Sequence, residues 1–171
     1  MNLDKYTEIS QTVLRNSLAI ANSYSHQHVS CFHLLKAICS EKNSSISSIL
    51  EKSELNIIEL NESLNDVLKN KPKVNGSSDI FLDNDLKKVL LAAEKLALKN
   101  GDNYVTIDTL ISAIINSTDL KLFLKKLGFS NKNFENACKN FRKDKKATSM
   151  NSEDSFQALE KFTTDFCKLA L

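Results

Sequence analysis

The sequence predicts an all-α domain of two four-helix repeats related by a pseudo-twofold axis, followed by a linker and one more helix. Three observations carry this. Glycine and proline number three and one in 171 residues, far below the roughly twelve per cent the pair makes up in ordinary proteins. Apolar residues recur at three- and four-residue steps, the period of a helix with one buried face. The chain also matches itself at a displacement of about 75 residues, the sign of an internal repeat.

The same counts exclude several classes. Collagen-like and low-complexity chains need far more glycine or proline. Tight hairpins need glycine or Asn-Gly at fixed points, which argues against a turn-rich all-β domain. Gly76, Gly101 and Gly128 lie far apart, whereas a phosphate-binding loop needs two or three glycines within about eight residues. P-loop and Rossmann nucleotide sites are therefore excluded. Hydrophobic residues at 42% and charged residues at 26% give a foldable balance. The length suits one domain, or one domain and a tail. A net charge of +2 gives no drive toward nucleic acid or an anionic membrane. The basic run Arg142-Lys143-Asp144-Lys145-Lys146 reads as a solvated linker. The opening ten residues lack the apolar centre of a signal peptide, and no stretch has the roughly 18 apolar residues of a membrane span. The expected compartment is the cytoplasm. Cys31, Cys39, Cys138 and Cys167 form no CxxC pair and read as small buried apolar residues.

The elements follow in order. The first helix runs from about Asp4 to Ser23, with Tyr6, Ile9, Val13, Ser17, Ile20, Ala21 and Tyr24 on one stripe. Asp4 or Thr7 is placed to cap it. Ser30 caps a second helix, with Leu34, Ala37 and Ile38 facing inward. Ile46, Ile49 and Leu50 mark a short third helix. Asn56 with Glu59 resembles a capping box and opens a fourth, carrying Ile57, Leu60, Leu64, Val67 and Leu68. Residues 71–78, with the one proline, form the clearest loop. Asp83 caps a long fifth helix with Leu86, Val89, Leu90, Ala93, Leu96 and Ala97 on one side. Gly101 closes it, where a left-handed residue ends a helix. Thr106 caps the sixth, with Leu110, Ala113 and Ile114. Leu120, Phe123, Leu124 and Leu127 mark the seventh, which Gly128 closes. Ser130 caps the eighth, with Phe134, Ala137, Cys138 and Phe141.

A displacement of 76 places Val13-Leu14 on Val89-Leu90, Val29-Ser30 on Val105-Thr106 and Ala37-Ile38 on Ala113-Ile114. A displacement of 74 then places Leu50 on Leu124 and Leu60 on Phe134. Repeat one covers about 1–70 and repeat two about 80–141, in a domain over 1–141. Neither half could bury its own stripes well, so the two should share one core. Where Gly101 and Gly128 turn the second repeat, the first carries Ser25 and Glu54. Residues 142–154 are almost without apolar side chains and read as a flexible linker. Residues 155–171 begin an amphipathic helix with Phe156, Leu159, Phe162, Phe166 and Leu169. Its apolar face either docks back on the domain or, the favoured reading, belongs to a following domain of a longer protein.

These residues resemble the Clp N-terminal domain, the module at the front of the Clp family of AAA+ unfoldases. The opening Met1-Asn2-Leu3-Asp4-Lys5-Tyr6-Thr7-Glu8, the connection Lys71-Pro72-Lys73-Val74, the segment Lys95 to Val105 and Ala158-Leu159-Glu160-Lys161-Phe162 are similar to the ClpB branch. The resemblance implies a substrate-engaging domain of a protein disaggregase, with unfolded or aggregated client proteins as partners and a hexameric ring as parent. It implies no cofactor in this chain; ATP and magnesium belong to ATPase modules elsewhere in the parent, as would any co-chaperone contact. It implies neither nucleic acid nor membrane as a partner, and a monomeric isolated domain. The alternative within the family is a platform for a folded adaptor protein.

The resemblance also implies contact residues. Thr7 matches a threonine at the start of the first helix, and Asp102 the aspartate after the glycine that closes the fifth. Asp108 stands where the family usually has glutamate. Leu90 and Tyr104 complete the expected set, Leu90 on condition that it lines a groove between the first and fifth helices rather than the core. In relatives that read phosphorylated arginine, an acid precedes the histidine matching His33; here that position is Phe32.

The cluster His26-x-His28-x-x-Cys31-x-His33 has the density of a zinc site. The matching positions of the second repeat are Asp102, Tyr104, Ile107 and Thr109, so the same turn forms there without soft ligands, and a metal is not expected. No nucleophile elbow or glycosidase-like carboxylate pair is present, and no enzyme is expected in this chain.

Overall fold

The computed structural model describes residues 2–42, 44–76 and 79–158. Eight α-helices follow the expected order: α1 (Glu8–Ser23), α2 (Cys31–Ser40), α3 (Ser44–Lys52), α4 (Ile57–Lys69), α5 (Asn84–Asn100), α6 (Ile107–Ile115), α7 (Thr118–Lys126) and α8 (Asn131–Arg142). A 3-10 turn, Leu3–Lys5, precedes them.

Local chemistry sets several helix ends. Asn56 accepts from the amides of Ile58 and Glu59, Asp83 from Leu86 and Ser130 from Asn133. Each satisfies donors that the first helical turn leaves free. Thr7 also stands at a helix start, but its side chain makes no capping bond there. Gly101 ends α5 at φ 75°, and Gly128 follows α7 at φ 79°. Ser25 and Glu54 take φ 59° and 64°, so the first repeat turns left-handed at the positions matched to the two glycines.

The helices bury one continuous core that includes Leu14, Leu34, Leu60, Leu90, Leu110 and Phe134 from both repeats. In the first half α1 packs on α2, and in the second α5 packs on α6. Contacts between α3 and α8 and between α2 and α6 join the halves, as expected of repeats that cannot close alone.

Two short pairings that the all-α expectation lacks also join them. β1 (His28–Val29) runs parallel to β2 (Phe81–Leu82). At the matching place in the other repeat, Tyr6 forms a parallel bridge with Val105. The amides of Thr7 and Asp83, residues 76 apart, donate to the carbonyls of Val105 (3.1 Å) and Val29 (2.9 Å). The segment leading into each long helix thus pairs with the loop of the opposite repeat.

Residues 142–154 do not form the free linker that the sequence predicts. They cross back over the start of the second repeat as a strap. Ala147, Ser152 and Glu153 are buried on it, and helical turns follow over 152–158, where Phe156 is buried edge-on to Phe141. The expectation failed because the anchors are polar side chains, which composition alone assigns to solvent. Leu159, Phe162, Phe166 and Leu169 of the last expected helix, and Cys167, lie outside the described residues.

Candidate functional site

The site begins at the turn between α5 and α6. Gly101 sends the chain back, Asp102 follows, and the bridge at Val105 delivers Thr106, Ile107, Asp108 and Thr109 as the first turn of α6. Two carboxylates and two hydroxyls therefore face one spot, all on buried residues. Carboxylates in such a place need a cation and hydrogen-bond donors.

Arg142, the last residue of α8, supplies both. Its Nη1 donates to Asp102 Oδ2 at 2.7 Å. Its Nε donates to one oxygen of Asp108 and its Nη2 reaches the other, a side-on bidentate pairing that suits the planar guanidinium. Nη2 also donates to Thr106 Oγ1 and, at 2.9 Å, to Thr109 Oγ1. The guanidinium carbon lies 6.0 Å from the centre of the Phe156 ring, within cation–π range. Burial works against the charge, but the hydrogen bond and charge of Asp108, then those of Asp102, raise the Arg142 pKa above its usual value.

The strap adds a second anchor. Glu153 is 1% exposed. Its Oε1 accepts from the Thr7 hydroxyl at 2.6 Å and from the Ile107 amide at 3.0 Å, so it caps α6 in place of Thr106, whose side chain makes no capping bond. Its Oε2 is buried without a partner. Burial first, with the charge of Asp108 adding, pushes its carboxyl up to about 7 against the pull of Thr7 and Ile107. Between the anchors the Ala147 amide donates to Asp102 Oδ1 and the Asn103 amide to the Ala147 carbonyl, both at 2.8 Å.

Three expected contact residues, Thr7, Asp102 and Asp108, are thus gathered into one cluster, but each is buried beneath the strap. Tyr104 lies beside them, half-buried. Leu90 is corrected: it is 5% exposed and belongs to the core, because the buried face of α5 is Leu86, Val89, Leu90, Ala93 and Ala97. Its neighbour Leu91 is 59% exposed, and Leu98, two turns on, is 75% exposed.

Sequence reasoning missed Arg142 and Glu153. A signal for the first was present. Only Arg15 and Arg142 among the 23 basic residues are arginine, and a bidentate pairing is what distinguishes arginine from lysine.

The matching place in the first repeat is built differently. The Ser30 amide donates to His33 Nδ1 at 2.9 Å, and His33 Nε2 lies 2.8 Å from His26 Nδ1. A ring nitrogen that accepts from an amide leaves the other as the donor, so His33 donates to His26. Burial first, then His26 and Lys71, lowers His33 to about 4. Lys71 stands 5.4 Å over the Phe32 ring. The first repeat thus sets a cation on an aromatic face where the second sets Arg142 on Asp108.

The family described as the Clp repeat (R) N-terminal domain matches residues 5–127. The chain belongs to that family. The chaperone protein ClpB of Rickettsia conorii is 32% identical over 173 residues, covering 99% of this chain and 20% of that protein. ClpB of Vibrio cholerae is 30% identical over 172 residues, with the same coverage. The chain spans about a fifth of the length of these curated relatives. Among solved structures, the Hsp104 N-terminal domain of Candida albicans superposes with a TM-score of 0.79 at 17% identity, covering 88% of this chain and 99% of that one. The ClpD N-terminal domain of Arabidopsis thaliana gives 0.62 at 17% identity, covering 80% and 96%. The Clp N-terminal fold is shared. Among the described residues no helix is long and apolar enough to cross a membrane.

Proposed function

We propose that this Clp N-terminal domain engages exposed hydrophobic segments of unfolded or aggregated proteins and hands them to the ATP-driven ring of a ClpB-type disaggregase. In that reading ATP and magnesium act in the parent's ATPase modules, and this chain carries out no catalysis. One observation carries it. Leu91 and Leu98 stand on one line of α5, seven residues apart and exposed, flanked by Lys87, Glu94 and Lys95. A narrow apolar line framed by charged side chains holds an extended chain loosely, without demanding a sequence. Such adaptable surfaces suit many clients better than rigid polar pockets. Thr7, Asp102 and Asp108, buried beneath the strap, are the polar contacts this reading assigns to the neighbouring second-repeat site.

The test is a titration of the 171-residue domain with an unfolded casein, followed by amide resonances. Saturable shifts along α5 support client engagement. Silence with casein, together with tight binding to one folded cellular protein, supports the adaptor platform instead.

A further inference from the structure

The three residues assigned to client contact are 0–4% exposed, and the hydrogen-bonding oxygens of the cluster face the strap. As long as the strap is docked, no client atom touches them. Either they serve only structure, or the strap leaves.

Three features make it able to leave. Its hold is polar and concentrated at few points: Arg142, the amide and carbonyl of Ala147, and Glu153, with a further backbone bond from the Glu8 amide to the Met150 carbonyl. Ala147 and Phe156 are its buried apolar side chains. Segments with few buried apolar contacts open locally while the core stays folded. The chain turns immediately after Arg142 through two consecutive left-handed residues, Lys143 at φ 47° and Asp144 at φ 62°. That conformation is unfavourable for Lys143, which ends α8 in it with its amide on the Lys139 carbonyl. Finally, Glu153 is a buried carboxyl with one unpartnered oxygen, an anchor that is stabilised incompletely.

We propose that residues 142–156 are a latch over the second-repeat site, with Arg142 as its tethered ligand and Glu153 as its second anchor, so that a client reaches Thr7, Asp102 and Asp108 only when the strap lifts. The latch rests on the client-contact reading of those three residues. It also ties that contact to the orientation of the chain that leaves the domain, because lifting the strap frees the helical turns at 152–158.

The test compares the 171-residue chain with Arg142→Ala, with Ala147→Lys and with Lys139→Ala, an exposed control on α8. Arg142→Ala removes the tethered ligand. Ala147→Lys pries the strap off while keeping the ion pairs, and it carries the test should the first variant fail to fold. Hydrogen exchange is read at the amides of Glu8, Asn103 and Ala147, against Leu14 and Leu110 in the core. Binding of fluorescent unfolded casein is measured on the same samples. Strap-amide exchange is expected to rise about tenfold or more in both strap variants, with core protection unchanged, as local opening predicts. Casein should bind correspondingly tighter, because apparent affinity scales with the open fraction, up to about tenfold here. Lys139→Ala should change neither. Fast strap exchange with unchanged or weaker casein binding overturns the latch and leaves the client reading standing. Strap amides that stay protected in both variants also overturn it. Absence of casein binding by every form overturns the client reading and the latch together.

Discussion

At the scale of single residues, Leu90 and Glu153 answer to different physics. Leu90 lies in the core, so Leu90→Ser should destabilise the domain by about 2–5 kcal/mol. Thermal unfolding should show a midpoint lower by roughly 2–4 °C per kcal/mol for a chain of this size. Glu153 governs a pH dependence. Burial first, and then Asp108, holds its folded carboxyl near 7, above the usual carboxylate range, while Thr7 and the Ile107 amide pull it down. A carboxyl raised on folding favours the folded state when protonated. Its contribution is fully present below the unfolded pKa and is lost as pH rises through about 7. His33 acts in the opposite sense: lowered to about 4, it contributes stability above its unfolded pKa that is lost as pH falls through about 4. Denaturant titrations of wild type and Glu153→Gln from pH 4 to 8 isolate the first effect. The stability of the variant relative to wild type should rise with pH across that window, and a constant difference would refute the assignment.

At the scale of elements, the repeat makes paired predictions. Gly101 and Gly128 turn the second repeat left-handed, and Ser25 and Glu54 do so in the first. Left-handed backbone costs a residue with a side chain roughly 1–2 kcal/mol, partly offset in glycine by its freer unfolded chain. Glu54→Gly should therefore raise stability by up to about 1 kcal/mol, and Gly101→Ala should lower it by a similar amount. The added methyl at Gly101 would meet the flexible end of Lys146 at 3.1 Å, so backbone strain dominates there; chemical denaturation measures both. These turns were legible in the sequence because helix ends are local events. A capping Asn56 or Asp83, a stripe such as Leu60, Leu64 and Leu68, and a matched position 76 residues away can each be read without knowing the fold. The β1–β2 pair was not legible, since two-residue strands exist only because distant segments meet. The site was legible in half. Thr7, Asp102 and Asp108 came from resemblance, but their partners did not. Arg142 in a lysine-rich run and Glu153 beside Asp154 look like solvated charge until the fold buries them.

At the scale of the whole molecule, two halves that cannot close alone exchange their leading segments, share a core and leave two contrasting faces. The second-repeat site is polar and closed by the chain's own strap. The outer line of α5 is apolar and open, at Leu91 and Leu98. In the proposed reading the open face makes first contact with a client, and the strap decides whether the polar site joins in. The outer leucines are far from the core contacts of α5, so replacing them should leave folding intact, as surface substitutions usually do within about 0.5 kcal/mol. The most direct test is the affinity for unfolded casein of the wild-type domain against the double variant Leu91→Ser/Leu98→Ser, with melting curves recorded alongside. Client engagement through α5 predicts weakened or abolished binding at an unchanged melting temperature. Equal affinity in both proteins would contradict it.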